Sequence, residues 1–390
     1  MLLKYLPIYF LPLGCFGLSS GFQAIAGVFF LIGILKYNFI YHYKMFFKEN
    51  LIKINFAFML LWILTVMAAD VYSENSIYGI KEGWHYFQRM LPFGLCGLFF
   101  VNDKKYFKFA WLGLVSCMFI ININVIYNFI VQGHWRPYTM MGRTNQVSGF
   151  LVLVLPFIIS GIYAFKDNKY YKIIGIFLVV FTLISLIVSG SRGAIIGIIL
   201  AYFFTGMYFL HKRYTWQEIV KKVSLIIILL FFIFSSIYLI YPNFIFRSYD
   251  MERVYLWKSS INMFVDNPLF GIGQDNFNKV YLHGYISEYA KEPYLNSPHN
   301  IFLYFFVERG IFAGISFLLM FIFQVLTFLK NIFNVENKIN IWAMAGCVSV
   351  LGMGIHGLVD TQIQMRAYFL MYWFLFGIGC CSIVADRKSW

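Results

Sequence analysis

The chain is 390 residues long, 61% hydrophobic and 21% aromatic, with only 12% charged residues and a mean hydropathy of +0.71. Soluble domains are about 45–50% apolar and about 25% charged, so the composition excludes a soluble globular protein, a disordered chain and a small disulfide scaffold. The formal charge is +14, from 31 Lys+Arg against 17 Asp+Glu. In so apolar a chain that excess reads as basic loops beside anionic lipid, not as a nucleic-acid surface.

The apolar stretches are long and unbroken, which means an all-α polytopic membrane protein; a transmembrane barrel shows short alternating segments instead. A span needs about 20 apolar residues. Twelve are expected, at 5–18, 22–40, 54–70, 86–102, 107–129, 145–165, 171–189, 193–210, 223–241, 300–329, 339–357 and 366–385, the first two open to being one re-entrant pair. The first run follows only Lys4 and has no small-residue cleavage site, so it reads as a span and not as a removed leader. The six cysteines (Cys15, Cys96, Cys117, Cys347, Cys380 and Cys381) all fall in apolar stretches without metal-ligand or pairing spacing and read as small buried hydrophobes. No internal repeat or second soluble domain breaks the chain, which reads as one membrane domain over 1–390.

With both termini in the cytoplasm, every short inside loop is lysine-rich: Lys44, Lys48 and Lys53, Lys104, Lys105 and Lys108, Lys166, Lys169 and Lys172, Lys212, Lys221 and Lys222. The outside cations are different. They include Arg136, Arg143, Arg192, Arg247, Arg253, Arg309 and Arg366, with Arg89 near an outer end. Orientation alone does not require arginine there; its planar fork suits phosphate and carboxylate. The one long loop, 242–298, is also outside and has enough aromatic and aliphatic content to fold as a cap.

Four clusters carry candidate chemistry. Ser191-Arg192-Gly193 forms a very short outer turn, so Arg192 is either an interfacial anchor or an anion ligand. Arg253 and Trp257 share a helical face, giving a stacked pair or a second anion ligand. The nearby Gly271 and Gly273 are no dinucleotide fingerprint and read as turn glycines. His299 and Asn300 close the long loop, and the apolar run after them contains Gly310. A helix over 300–329 is about 45 Å long at about 1.5 Å per residue, against a hydrocarbon core of about 30 Å. Either its first turns stand clear of the core or it breaks near Gly310, and both options leave His299 at the outer boundary, where an imidazole can take a proton from a hydroxyl. His356 and Asp360, four apart, read as a structural pair, and Asp250 with Glu252 as local salt-bridge partners of Arg247 and Arg253 and not as metal ligands.

Taken together, these residues resemble the O-antigen ligase and O-antigen polymerase superfamily of bacterial membrane glycosyltransferases. The resemblance covers the whole architecture and is densest over 175–325, the signature region that contains the loop 242–298. It rests on Ser191–Gly193, on Arg253 and Trp257, on Asp266-Asn-Pro-Leu-Phe-Gly-Ile-Gly273, and on His299, Asn300 and Gly310. One departure is Ala313, where the family usually has a second glycine; Gly314 follows. The resemblance implies a GT-C-like helical fold in the bacterial inner membrane, a periplasmic active site, and metal-independent transfer without a cofactor. The implied donor is a glycan on undecaprenyl pyrophosphate, and the acceptor a lipid A core oligosaccharide (ligase), a lipid-linked repeat unit (polymerase) or a protein hydroxyl.

On that reading His299 is the catalytic base, and Arg192 and Arg253, with Arg136 and Arg143, hold the pyrophosphate. Ser191, Gly193, Trp257, Asn300 and Gly310 support them. In-line attack inverts the anomeric centre. The expected partners are the donor, the glycan acceptor and membrane lipids, with no nucleic acid. A secondary transporter is the rival of another class. Its halves tend to be related by repeats, with ionisable residues near the midplane, and this chain shows neither.

Overall fold

The computed structural model describes residues 5–16, 28, 44–73, 76–100, 103–219, 221, 224, 235, 250–333 and 336–387. The described residues are helical, with no strand among them and only two isolated bridges. The helices are α1 (Leu6–Phe16), α2 (Asn50–Val71), α3 (Ser76–Arg89), α4 (Leu91–Phe99), α5 (Lys105–Gln132), α6 (Thr144–Ala164), α7 (Lys169–Ser189) and α8 (Arg192–His211). After them come α9 (Asp250–Asp266), the short α10 (Phe277–Val280), α11 (Ile301–Lys330), α12 (Ile341–Gly357) and α13 (Arg366–Arg387).

Seven helices (α2, α5, α6, α7, α8, α11 and α13) are long and apolar enough to cross a membrane, and α1 and α12 are shorter apolar helices. This is a multi-pass membrane protein. Exposed side chains support the reading: Ile173, Ile176, Phe177, Val180, Leu183, Ile184 and Ile187 form an apolar stripe along α7, the inverse of a water-facing helix surface. Apart from residues 28, 224 and 235, the expected spans at 22–40 and 223–241 lie outside the described residues. The expected span at 86–102 is corrected: the chain there is two helices, α3 and α4, that meet at Met90, with Pro92 at the start of the second. Proline lacks the N–H that would continue the first helix, so a new helix begins there.

The centre of the bundle is α6, α12 and α13, which bury most of their length. α8 packs on α12, α7 on α5 and α6, and α2 on α11. With lipid outside, burial of apolar surface discriminates little between packed and unpacked helices, so polar links and close backbone approach set the register. Asn122 reaches Thr182 at 2.9 Å, Ser148 meets Ser189 at 2.6 Å, Thr65 meets Ser316 at 2.8 Å, and Ser349 donates to the Leu153 carbonyl at 2.6 Å. All six cysteines are buried free thiols, as their apolar surroundings implied.

The segment from α9 to α11 is a folded cap, as its composition predicted. Leu256, Met263, Phe277 and Tyr281 form a small apolar core closed by Val307 of α11. α11 breaks at Gly310, whose backbone sits at φ 75°, ψ −172°. The break frees carbonyls of the first half. The strap Asn267-Pro268-Leu269-Phe270-Gly271-Ile272-Gly273 takes them: Ile272 donates to Val307 at 2.9 Å and Gly273 to Glu308 at 3.0 Å. In return Ile311 donates to Pro268 at 2.8 Å. The backbones touch. A Cβ at Gly310 would stand 2.1 Å from the Leu269 oxygen, and one at Gly271 would stand 2.4 Å from the Glu308 carbonyl carbon. Gly271 is therefore more than the turn residue its sequence suggested; it admits the strap into the kink.

Candidate active site

At one end of the bundle the close of α5, α7 and α12 meets the start of α6, α8 and α11. These ends surround a cavity of about 650 Å³. Arg136, Arg143, Arg192, Arg253 and His299 all line it, with Ser191 and Gly193. The four arginines come from three separate parts of the chain, which only the fold brings together.

Each is positioned by local structure. The loop 133–143 is pinned to α5: the Gln132 side chain both accepts from the Tyr138 N–H and donates to its carbonyl, each at 2.8 Å, and Asn124 accepts from Met140 at 2.9 Å. Arg136 takes a left-handed φ of 65° there, and its N–H donates to Val188 at the end of α7. Arg143 is the residue before α6, with its N–H bound by the Gln146 side chain at 3.0 Å. Ser191 caps α8 by backbone conformation, and Arg192 is the first helical residue. Gly193 lets that turn come close to α12; a Cβ there would lie 2.5 Å from Val359 Cγ2 and 3.1 Å from His356 Cδ2. Arg253 stands on α9 with Leu256 one turn on, so the cap core holds its helix over the cavity. The helix starts at Thr144 and Arg192 add the positive ends of two helix dipoles. Glu252, Glu292 and Asp360 share the lining, so the four arginines keep a formal excess of one positive charge without counting the histidines.

His299 sits immediately before α11 at a left-handed φ of 47°. Asn300 caps the helix, accepting from Phe302 at 2.9 Å and Leu303 at 3.1 Å. The His299 Nδ1 lies 3.2 Å from Asp360 Oδ1, which also accepts from the Thr361 N–H at 2.8 Å. Burial works to raise the Asp360 carboxyl. The His299 hydrogen bond, the charges of His356 and His299 and the Thr361 N–H outweigh it and hold the group down to about 2. An ionised acceptor on Nδ1 fixes the tautomer that leaves Nε2 with its lone pair. The ring is a third exposed, while its partner carboxylate is buried.

Other expectations change. His356 does not pair with Asp360; its ring nitrogens lie 2.9 Å from the Gln362 amide, and it is buried beneath the α8 turn. The pairing missed in the sequence is His299–Asp360, 61 residues apart. The available signal was a carboxylate just past the end of an apolar run on the same side as His299. Trp257 does not line the cavity, and its indole N–H has no hydrogen-bond partner among the described residues. Gly310 and Asn300 act one step back, as kink and cap. Glu252 accepts from the backbone of Lys291 at 2.9 Å and Glu292 at 3.3 Å, so its carboxylate closes the cap. Arg309 is wholly buried away from the cavity, with Nε 3.2 Å from Asp70 Oδ1. Arg247 lies outside the described residues. At the departure from the family pattern, Ala313 is buried, and Gly314 sits against the Phe306 ring.

Residues 177–318 match the family model described as O-antigen ligase. The match covers 142 of the 390 residues and supports the likeness to the O-antigen ligase and polymerase superfamily. The superfamily region runs from α7 past the Gly310 kink and contains Arg192, Arg253 and His299; Arg136, Arg143 and Asp360 lie outside it. An uncharacterized protein of Haemophilus influenzae is similar along most of its length, at 22% identity over 342 residues, covering 80% of this chain and 79% of that one.

Proposed function

We propose that this protein is an O-antigen ligase. It transfers a glycan from undecaprenyl pyrophosphate to a hydroxyl of a lipid A core oligosaccharide, at the periplasmic face of the bacterial inner membrane. Both termini are cytoplasmic, and the chain acts as one membrane domain with its signature over 175–325. The observation that carries the reading is the His299–Asp360 pair on a cavity lined by four arginines.

The chemistry follows from those groups. The acceptor oxygen attacks the anomeric carbon as the glycosidic bond to pyrophosphate breaks. Its proton passes to His299 Nε2, and Asp360 stabilises the imidazolium that forms. The bond electrons leave on undecaprenyl pyrophosphate. Arg192 and Arg253, with Arg136 and Arg143, meet that charge through charge-assisted hydrogen bonds in a partly desolvated site. Attack opposite the leaving group inverts the anomeric centre. The donor is already activated, so no nucleotide or redox cofactor is called for, and the guanidinium groups supply the cations that a metal supplies elsewhere.

The test is an acceptor assay with the purified full chain in EDTA, given an undecaprenyl-pyrophosphate glycan and lipid A core. Glycan on lipid A core is the expected product, and His299→Ala removes it while the protein still inserts. Longer lipid-linked chains with lipid A core untouched would make it a polymerase; glycan on a protein hydroxyl would make it a protein-directed transferase. Activity lost in EDTA and restored by Mg²⁺ or Mn²⁺ would end the metal-independent reading. Proton-coupled flux without glycan transfer would make it a transporter.

A further inference from the structure

A second cavity, of about 260 Å³, lies between the end of α3 and the start of α13, lined by His85, Gln88, Arg89, Arg366 and Leu370. Nothing in the transfer chemistry uses it. Arg89 is held in place, 3.8 Å from Glu82 and stacked 5.3 Å from the centre of the Tyr86 ring, with its side chain 14% exposed. His85 shares the same carboxylate at 2.8 Å. Arg366 has no hydrogen-bond or ion-pair partner among the described residues. Glu82 offsets one guanidinium, so the cavity keeps a positive excess of one charge without counting His85.

Its surroundings say where the balancing anion sits. Arg366 begins a helix long enough to cross the membrane, which puts the cavity at headgroup level. On α3, Ile77, Ile80 and Trp84 share one face and are exposed, and Leu91 follows beyond the break. An amphipathic helix with exposed Ile and Trp beside arginine is the pattern of a helix lying in the lipid interface. Two forked cations at that depth suit a phosphate carried on a lipid.

The second cavity also belongs to the same end of the bundle as the first. Asp360 and Arg366 are six residues apart, which is at most about 21 Å of extended chain, and the 3₁₀ turn Gln362–Gln364 shortens that reach. We propose that the second cavity binds the lipid-borne phosphate of the acceptor, so that donor and acceptor phosphates have separate arginine sites on the two sides of the 360–366 turn. The proposal rests on glycan transfer to a lipid acceptor. It does not depend on which one, since lipid A core and a pyrophosphate-linked repeat both carry phosphate at the membrane surface.

The experiment compares the wild type with Arg89→Gln/Arg366→Gln, full chains in phosphatidylcholine nanodiscs. Binding is measured for phosphorylated lipid A core, the same lipid dephosphorylated, phosphatidylglycerol and inorganic phosphate; KM is measured separately for donor and acceptor. The wild type is expected to prefer the phosphorylated acceptor by about tenfold or more, the scale of a charge-assisted contact. The double variant loses that preference, and its acceptor KM rises by the same factor with kcat and donor KM unchanged. Arg366 is exposed, so Arg366→Gln alone repeats the test without disturbing Glu82. Equal binding by wild type and variant overturns the proposal. A raised donor KM assigns the cavity to the donor, equal preference for phosphatidylglycerol assigns it to bulk lipid, and saturation by inorganic phosphate alone leaves an ion site; each also overturns it. If no acceptor is glycosylated, transfer itself is wrong, while the binding measurements still report on the cavity.

Discussion

His299 and Asp360 divide one task. His299 is exposed to the cavity and is the proposed proton acceptor, while Asp360 is buried, ionised and fixed by the Thr361 N–H. In the proposed reaction Asp360 therefore orients the ring during attack. Asp360→Asn keeps the volume but offers Nδ1 no anion. We expect kcat to fall by about 10²-fold or more with acceptor KM little changed, in line with amidation of an orienting carboxylate elsewhere; a loss in KM alone would assign Asp360 to binding. Arg192 is tested by Arg192→Lys, which keeps the charge but loses the fork. A fall in kcat/KM of about tenfold or more is expected, since one charge-assisted hydrogen bond contributes about 1.5–3 kcal/mol. Full activity would make Arg192 an interfacial anchor, the alternative its position at the mouth of a span always allowed.

Among the helices, the kink in α11 decides the geometry of the site. Its first half carries His299 on the capped end and Val307 into the cap core; its second half continues through the bundle. The strap 267–273 fills the break and supplies the hydrogen bonds that the kink removes. Gly310→Ala meets two obstacles at once, a left-handed φ of 75° and the Leu269 carbonyl at 2.1 Å. It should lower stability by more than about 1 kcal/mol and displace the cap, read as a lower midpoint in thermal unfolding in detergent and as loss of transfer. Gly314→Ala, placed beside it, serves as the control for packing alone, since its neighbour is the Phe306 ring and not backbone.

For the whole molecule, a buried ionic cluster joins the parts. Arg309 pairs with Asp70 of α2 at 3.2 Å, lies 3.5 Å from Glu308, and is bound by Gln274 of the strap's continuation. It also lies over the Tyr86 ring of α3, 5.6 Å from its centre. Helix, cap and bundle thus meet on one guanidinium. Removing one partner of a buried ion pair leaves the other charge uncompensated, at a cost of about 3–5 kcal/mol. Arg309→Met should therefore lower the thermal midpoint more than any cavity-arginine substitution does. A double variant with Asp70→Asn should recover part of the loss. An unchanged midpoint in Arg309→Met would show that the cluster is not what joins α2 to the cap.

Much of this was open to reading in the linear chain. Composition and run length imply a helical membrane protein, because hydrocarbon accepts only segments that satisfy their own backbone. The contrast between lysine-rich and arginine-bearing loops marks one set of loops, and Arg136, Arg143, Arg192, Arg253 and His299 do converge on one cavity. Those signals are local: a residue's charge and its distance from the end of an apolar run. Three features are not local. The partner of His299 lies 61 residues away, and the neighbour of Asp360 at helical spacing, His356, is buried against the Gln362 amide instead. Arg309 looks like its fellow arginines in sequence, yet the kink one residue later directs it inward to Asp70. The span expected at 86–102 is hydrophobic enough to be one helix, but it breaks at Met90. In each case pairing across the chain or a backbone break decided the outcome, and neither is carried by hydropathy or spacing.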